Sequence, residues 1–518
     1  MQIEFINYNM YRVNSRASDL TWTARSSNSH PLEIAAVAVA PNRGHIGITF
    51  CPGKKQADAL SGSWARDLEI DLDVIENWGA AAVVTLIEDH EMASLGVTGI
   101  GDAVSTRNMS WYHLPIPDVT APTSGFEKQW QVAGAELRDL LRAGFNIVVH
   151  CKGGLGRAGT VAARLLIELG WSSSDAIAEV RLVRPGAIET IEQEKHLHTI
   201  GQITPIQSLS PASLEDKCLG ALIGLAAGDA VGTTLEFKSR DTYPKLTEMI
   251  GGGPFKLQAG EWTDDTAMAL ALADSLISQG KLDQTDLMQR FVAWWRHGEY
   301  SCTGTCFDIG ITTSSALARF EATGDPLSGS VDPYSAGNGA LMRLAPVVLH
   351  WFGTGSGDPA ELAQLARQQG EVTHGAATSL EACAAFAEIM RVAMTAPNKE
   401  AVFRHAASLS FGPEVNHILA GSWRAKHRRD IRSSGFVLYS LEAALWCFAR
   451  TSSFRDAVLL AANLGDDADT TAAITGQLAG AFYGLEQIPA EWHQKLAWGN
   501  KIESIGRALL GKKEGNLP

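Results

Sequence analysis

Two groups of residues in this sequence could do chemistry. The first is Cys151, followed six positions later by Arg157 in VVHCKGGLGRAGTVAARLLIELG. An apolar run leads into the cysteine, glycines stand at 153, 154 and 156, and apolar periodicity opens at the arginine. That order predicts strand, tight turn and helix. The backbone N–H groups of Lys152, Gly153, Gly154, Leu155 and Gly156, wrapped around a helix N-terminus, would form an anion nest. The same field, with Arg157, would hold Cys151 as a thiolate nucleophile. No Gly-Lys-Ser/Thr follows the glycines, which excludes a Walker-type nucleotide loop. A cysteine and an arginine alone read as core structure; strand, His150, three glycines and helix together turn the reading to function.

The second group is acidic. GLAAGDAVGTTLEF carries Asp229 and Glu236, GEWTDDTAMALALADSL carries Thr263, Asp264 and Asp265, and NLGDDADTTAAITGQL carries Asp467, Asp469 and Thr470. Each aspartate group stands at the mouth of an apolar helical pattern. One N-capping aspartate per helix is ordinary, but two or three acidic residues exceed that need. Four carboxylates packed together repel one another unless a cation lies between them. An all-oxygen set of Asp and Thr suits Mg²⁺ or Mn²⁺ better than zinc, so a metal site for two ions is expected.

The elements that must position these residues fall into two parts. The first 200 residues alternate apolar runs (IAAVAVA, HIGITF, AAAVVTLI, FNIVVHC) with helical patterns, as in a mostly parallel sheet flanked by helices. The run Phe145 to His150 is expected to be its buried central strand. GQITPIQSLSPASLED, with two prolines and small polar residues, reads as a linker, and a helical pattern opens at Leu214. Beyond it, Ala, Leu and Gly recur at three- and four-residue spacings without a strand pattern, so the second domain is expected to be all-α. The expected division is 1–205 and 206–518, consistent with 518 residues being too many for one core.

Composition narrows the partners. With 43 Lys+Arg against 57 Asp+Glu, the formal charge of −14 argues against nucleic acid as a general partner. Seven cysteines, odd in number and mostly in apolar surroundings, suit a reducing compartment. The start MQIEFINYNM lacks a signal-peptide pattern, and no uninterrupted apolar run approaches the ~20 residues of a membrane span. A cytoplasmic protein with no membrane partner is expected.

Around Cys151 the sequence resembles the cysteine-dependent protein-tyrosine and dual-specificity phosphatases, and HCKGGLGRAG…RPGAIET is most similar to the kinase-associated branch, over roughly residues 40–200. The resemblance implies an α/β phosphatase fold acting on a phosphate monoester. Cys151 would form a phosphocysteine, Arg157 would grip two phosphate oxygens, and Asp118 in HLPIPDVTAP would be the general acid. The family usually has Ser or Thr after the arginine, where this chain has Ala158; that hydroxyl helps the thiolate leave, so slower phosphoenzyme hydrolysis is expected.

The acidic segments resemble the ADP-ribosylglycohydrolases, including those that reactivate dinitrogenase reductase, over roughly 214–510. CFDIGITT, SAGNGALMRLAP, VTHGA and SGFVLYSLEAALW extend the match. By this resemblance Thr263, Asp264 and Asp265 bind metal from one side and Asp467, Asp469 and Thr470 from the other, with two Mg²⁺ or Mn²⁺ ions orienting the ribose and activating water. Glu236 matches an acidic residue near the entrance that gates substrate or assists acid–base chemistry. Asp308 would face a cationic acceptor. Ser335, Gly337, Asn338 and Gly339 would wrap the diphosphate and adenosine through backbone N–H groups, with His374 nearby. The usual Gly-Gly-Asp-Ala-Asp is here Gly465-Asp466-Asp467-Ala468-Asp469, and the extra Asp466 either raises metal affinity or faces water.

Other signals read more plainly. Cys302 and Cys306 read as core packing ahead of a metal clip, Trp294 and Trp295 as core ahead of base stacking, and a Cys51–Cys151 disulfide as the lesser reading for Cys51. The combined expectation is a bifunctional hydrolase that cleaves an ADP-ribosyl N- or O-glycosidic bond on a protein or small molecule and hydrolyses a phosphate monoester on the same or a related substrate. The runner-up is a phosphatase or scaffold whose helical domain only binds ADP-ribose or ADP-ribosylated partners.

Overall fold

The computed structural model describes residues 24–59, 62–203 and 212–511. The chain start read above, residues 204–211 of the expected linker and the expected boundary at 205/206 lie outside the described residues.

Five strands form the first sheet: β1 (Ala35–Ala38), β2 (His45–Phe50), β3 (Ala80–Thr85), β4 (Ser110–His113) and β5 (Asn146–Cys151). Their order is β1-β2-β5-β3-β4, with only β1 antiparallel to its neighbour. The mostly parallel sheet is as expected, and β5 is its central strand, one residue later than the run read from the sequence. Strand β4 had no clear sequence signal: its four residues, SWYH, are all half-buried and show no alternation. Helix α1 (Ser124–Arg142) precedes β5, and α2 (Gly156–Glu168) follows it and is buried along its whole length.

The described residues from 212 onward are helices and connecting segments, with two isolated β-bridges. Those that build the site are α3 (Leu214–Gly232), α4 (Asp264–Gln279), α5 (Ala377–Ala393), α6 (Lys399–Ser408), α7 (Val437–Arg450) and α8 (Ala468–Tyr483). Helix α3 carries glycine at every fourth position, 220, 224, 228 and 232, which puts all four on one face. That face meets α8 backbone to backbone. A Cβ added at Gly220, Gly224, Gly228 or Gly232 would lie 2.6, 2.3, 2.2 or 2.4 Å from the carbonyl oxygens of Gly480, Gly476, Ala472 and Ala468 respectively. The pairing is antiparallel, so the end of α3 meets the start of α8. The segment Leu214–Leu235 is long and apolar enough by length and composition to cross a membrane, although Asp229 interrupts its apolar run, and it is buried within the helical domain as a core helix is.

The two domains touch through the starting ends of the central strands. Arg450 at the end of α7 donates to the Ala80 carbonyl, where β3 begins, and Arg424 donates to the Ala143 carbonyl just before β5. The Phe145 ring packs against Trp423 and Trp446, and Arg43 pairs with Glu400 of α6 at 2.9 Å. Helices α5, α7 and α8 all end toward this interface, where Pro397, Lys399, Arg450 and Tyr483 line a cavity of about 530 Å³ together with Tyr112, Glu136 and Arg142 of the first domain.

Candidate active sites

The cysteine loop has the predicted layout. Strand β5 ends at Cys151, α2 begins at Gly156, and Gly154 takes a φ of +70° that turns the loop. The Gly154 N–H donates to Cys151 Sγ at 3.3 Å. Arg184 tethers the loop from outside through the Gly153 and Gly154 carbonyls. Buried His150 shares a 2.8 Å hydrogen bond between Nε2 and Thr85 Oγ1, and burial pushes its imidazole down to about 3, so the ring is neutral beside the loop.

Arg157 is buried and held by two acids. Its guanidinium donates to both oxygens of Glu91, at 2.6 and 3.0 Å, and to the Ile116 carbonyl, and it lies 2.9 Å from Asp118 Oδ1. Burial works against its charge, but the Glu91 pair outweighs that and holds Arg157 above its usual range. Cys151, Arg157 and Asp118 are therefore brought together as expected, with Asp118 exposed on its loop. Glu91 was not singled out in the sequence; it lies in a helix 66 residues before Arg157, and only folding pairs them. Ala158 is fully buried and presents no hydroxyl.

In the helical domain the carboxylates converge. Asp229, at the end of α3, accepts from the N–H and hydroxyl of both Thr263 and Thr266, and so anchors the start of α4. Glu236 accepts from the N–H groups of Ala468 and Asp469 and caps α8. These two anchors set Asp264 and Asp265 opposite Asp467 and Asp469. Carboxylate oxygens of Asp229, Asp265 and Asp469 lie within 4.8 Å of one another, as do those of Glu236, Asp467 and Asp469. Thr263 Oγ1 is 3.2 Å from Asp469 and 3.4 Å from Asp265, and Thr470 Oγ1 is 3.4 Å from Asp265. Burial, and after it repulsion among neighbouring carboxylates, pushes Asp229, Glu236, Asp264, Asp265, Asp308 and Asp467 above the usual carboxylate range. Asp265 Oδ1 is buried with no hydrogen-bond partner among the described residues. A hard, all-oxygen donor set with excess negative charge and an orphaned oxygen fits a divalent cation.

Some expected placements differ. Glu236 is buried rather than at the entrance, because its carboxylate is spent on the α8 N-terminus. Of the four expected donors, the N–H groups of Ser335, Gly337 and Asn338 donate to the carbonyls of Asp332, Ser335 and Gly435, which braces this stretch within the protein, while Gly339 lies against the His374 ring. The Asn338 side chain orients Asp467 at 2.7 Å, a role the sequence did not suggest. His374 does lie against Gly337 and Gly339, where an added Cβ would stand 3.1 and 2.6 Å from its ring. Asp308 is half-buried with a φ of +59° and faces Asp469. Asp466 also has a left-handed backbone, φ +56°, where glycine is easiest, and it is exposed. Asp229 was noticed but not placed among the metal residues, and its grip on Thr263 and Thr266 is visible only in three dimensions.

The weaker signals resolve to packing. Trp294 is buried, Trp295 is half-buried under Arg296, and Cys302 donates to the Trp262 carbonyl. All seven cysteines are unpaired, and burial pushes the Cys51 thiol up, away from the thiolate that disulfide exchange needs.

Neither site lies at the contact between the domains. Helices α5, α7 and α8 start beside the carboxylates and end at the interdomain cavity, while β3 and β5 start at the interface and end at the cysteine loop. Helices of 14 to 17 residues, about 21 to 26 Å long, lie between the carboxylates and that interface, and a strand of six, about 20 Å, lies between it and the cysteine loop.

Comparison with known proteins matches each part. A family model described as ADP-ribosylglycohydrolase covers residues 210–517, and one described as Swiss Army Knife protein, DSP-PTPase phosphatase domain, covers 63–197. The chain is 45% identical over 305 residues to "ADP-ribosylarginine hydrolase Tri1" of Pseudomonas putida, covering 59% of this chain and 81% of that protein. It is 32% identical to the "ADP-ribosyl-[dinitrogen reductase] glycohydrolase" of Rhodospirillum rubrum, over 55% of this chain and 91% of that one. A solved structure, "ADP-ribosylglycohydrolase-related protein complex", aligns with a TM-score of 0.51 at 39% identity, covering 57% of this chain and 98% of its own.

Proposed function

Starting from the chain's membership of the ADP-ribosylglycohydrolase family and its phosphatase domain, we propose that this bifunctional hydrolase releases ADP-ribose from arginine and dephosphorylates a monoester at a separate site. Arginine is the acceptor named for the Pseudomonas relative, and a cationic acceptor suits Asp308 and the acidic surroundings of the site. The observation that carries the glycohydrolase assignment is the meeting of two carboxylate triads at Asp469, one with Asp229 and Asp265 and the other with Glu236 and Asp467.

Thr263, Asp264, Asp265, Asp467, Asp469 and Thr470 would hold Mg²⁺ or Mn²⁺, which would supply Lewis-acid activation of water and orient the ribose hydroxyls. Asp229 keeps Thr263 at the site, Glu236 fixes the α8 end, and Asn338 keeps Asp467 turned inward. At the other site Cys151 Sγ attacks phosphorus while Asp118 gives its proton to the leaving oxygen. Water then attacks the phosphocysteine, its proton passes to Asp118, and the thiolate is released. Five of the seven unpaired cysteines are buried, which supports a reducing cytoplasm as the compartment.

The test is release of ADP-ribose from ADP-ribosyl-arginine with Mg²⁺ or with chelator. Release should need the metal and fall roughly hundredfold or more in Asp264→Asn and Asp469→Asn, the scale of several kcal/mol that metal chemistry supplies. Cys151→Ser should abolish only aryl phosphate hydrolysis. Release that ignores both chelator and Asp469→Asn would refute the assignment.

A further inference from the structure

Two of the groups that frame the phosphate cradle beside Cys151 are engaged by the protein's own carboxylates. The Gly156 N–H, part of the predicted oxyanion nest, donates to Glu189 Oε2 at 2.8 Å. An added Cβ on Gly156 would lie 2.3 Å from that same oxygen, so the carboxylate lies directly over this part of the loop. Arg157 meanwhile lies 2.9 Å from Asp118 Oδ1. Two groups suited to phosphate oxygens therefore hold carboxylate oxygens instead.

The segment that carries Glu189 is tightly held. Ile188 has a φ of +61°, a conformation that a β-branched residue adopts only under constraint from its surroundings. It is buried, its N–H donates to the Leu155 carbonyl, and its own carbonyl accepts from Arg181. Ala187 packs against Gly159 of α2, where an added Cβ would lie 2.8 Å from the alanine methyl. The Glu189 N–H donates to Gln193 Oε1 at 2.9 Å. The main chain is thus pinned to the loop, while the Glu189 side chain itself is exposed and free to rotate outward.

A carboxylate at a helix N-terminus is ordinarily a cap, and α2 has no cap from its own Leu155. This N-terminus, however, must also receive a dianion. We propose that Glu189 is a displaceable occupant of the oxyanion cradle, a specificity-determining residue that competes with the substrate phosphate for the Gly156 N–H and weakens binding of dianionic monoesters. This rests on the phosphatase reading given above. Asp118 differs from Glu189 in that it belongs at the site as the acid; Glu189 has to leave the Gly156 N–H before the phosphate can settle.

The test uses the full chain with p-nitrophenyl phosphate as substrate and inorganic phosphate as inhibitor. In Glu189→Gln, which keeps an acceptor for Gly156 but removes the charge, KM and the phosphate inhibition constant should each fall about tenfold or more, as expected for relief of like-charge contact in a partly buried site, with kcat changed less than about threefold. Glu189→Ala should behave the same way. If both variants keep the wild-type constants, or if Glu189→Ala only lowers Tm, Glu189 is a cap and the proposal is overturned. Calorimetric binding of inorganic phosphate to Cys151→Ser, with and without Glu189→Gln, gives a second readout that needs no turnover: tighter binding in the double variant supports the proposal, and equal or weaker binding overturns it. A wild-type enzyme that hydrolyses no aryl phosphate would count against the phosphatase reading alone, since the calorimetric comparison still decides the role of Glu189.

Discussion

At the scale of single residues, the helical site is governed by charge in a buried setting. With no cation present, Asp229, Asp264, Asp265 and Asp467 keep protons well above the range of unfolded carboxylates. A folded-state pKa raised above the unfolded value contributes stability at low pH that is lost as pH rises through the folded pKa. Chelated protein is therefore expected to lose stability as pH rises from about 4 through about 7, the value to which Asp229 and Asp467 are raised, and the Tm gained on adding Mg²⁺ should grow over that interval. A gain that stays constant with pH, in calorimetry with and without chelator, would contradict the carboxylate cage. At the cysteine site the decisive residue is one that is missing a hydroxyl. A hydrogen bond to a charged partner is worth about 1.5–3 kcal/mol, so Ala158→Ser should raise steady-state phosphatase turnover by roughly tenfold and shrink any burst of aryl alcohol. Unchanged turnover would mean that thiolate departure does not limit the rate.

At the scale of elements, both sites depend on helix starts, but the elements are placed by different means. Helix α2 is set by strand β5 leading directly into it, so local sequence suffices. Helices α3 and α8 are set by the glycine stripe at 220, 224, 228 and 232, which lets their backbones touch and brings Asp229 and Glu236 to Asp467 and Asp469. The stripe was legible as a spacing, yet its partner was not, because any small-residue face could have met it. Gly228→Ala places a methyl 2.2 Å from the Ala472 carbonyl oxygen, a backbone atom that cannot rotate away. Overpacking of this kind costs about 1–3 kcal/mol or more, and Tm should fall with loss of metal-dependent activity. A variant with the wild-type Tm would show that the helices can part freely.

At the scale of the whole molecule, each site stands the length of a helix or a strand from the contact between the domains. The cavity between the domains is lined by the start of α6 and the far ends of α7 and α8, and by none of the carboxylates or the cysteine loop. The expectation that fusion raises the local concentration of one site's product at the other is testable here, since a released small product must travel past at least a helix and a strand to reach the second site. A one-to-one mixture of Cys151→Ser and Asp469→Asn chains should therefore process a phosphorylated, ADP-ribosylated substrate as fast as the same amount of each intact site on one chain. A marked advantage for the single intact chain would show transfer that this arrangement does not provide.

By itself the sequence marked a nucleophile in a glycine loop and a set of aspartates suited to a metal, because these are local patterns whose physics needs few neighbours, and its resemblance to two families supplied the reactions. It also determined the α/β and all-α character of the two parts, through strand and helix periodicity. Only the tertiary structure decided that Glu91 and Asp118 share Arg157, that Asp229 anchors α4, that Glu236 braces α8 instead of standing at an entrance, and that Glu189 lies on the phosphate loop. Each of these joins residues distant in the chain through packing or charge pairing, and such partners are selected by the folded surface rather than by spacing.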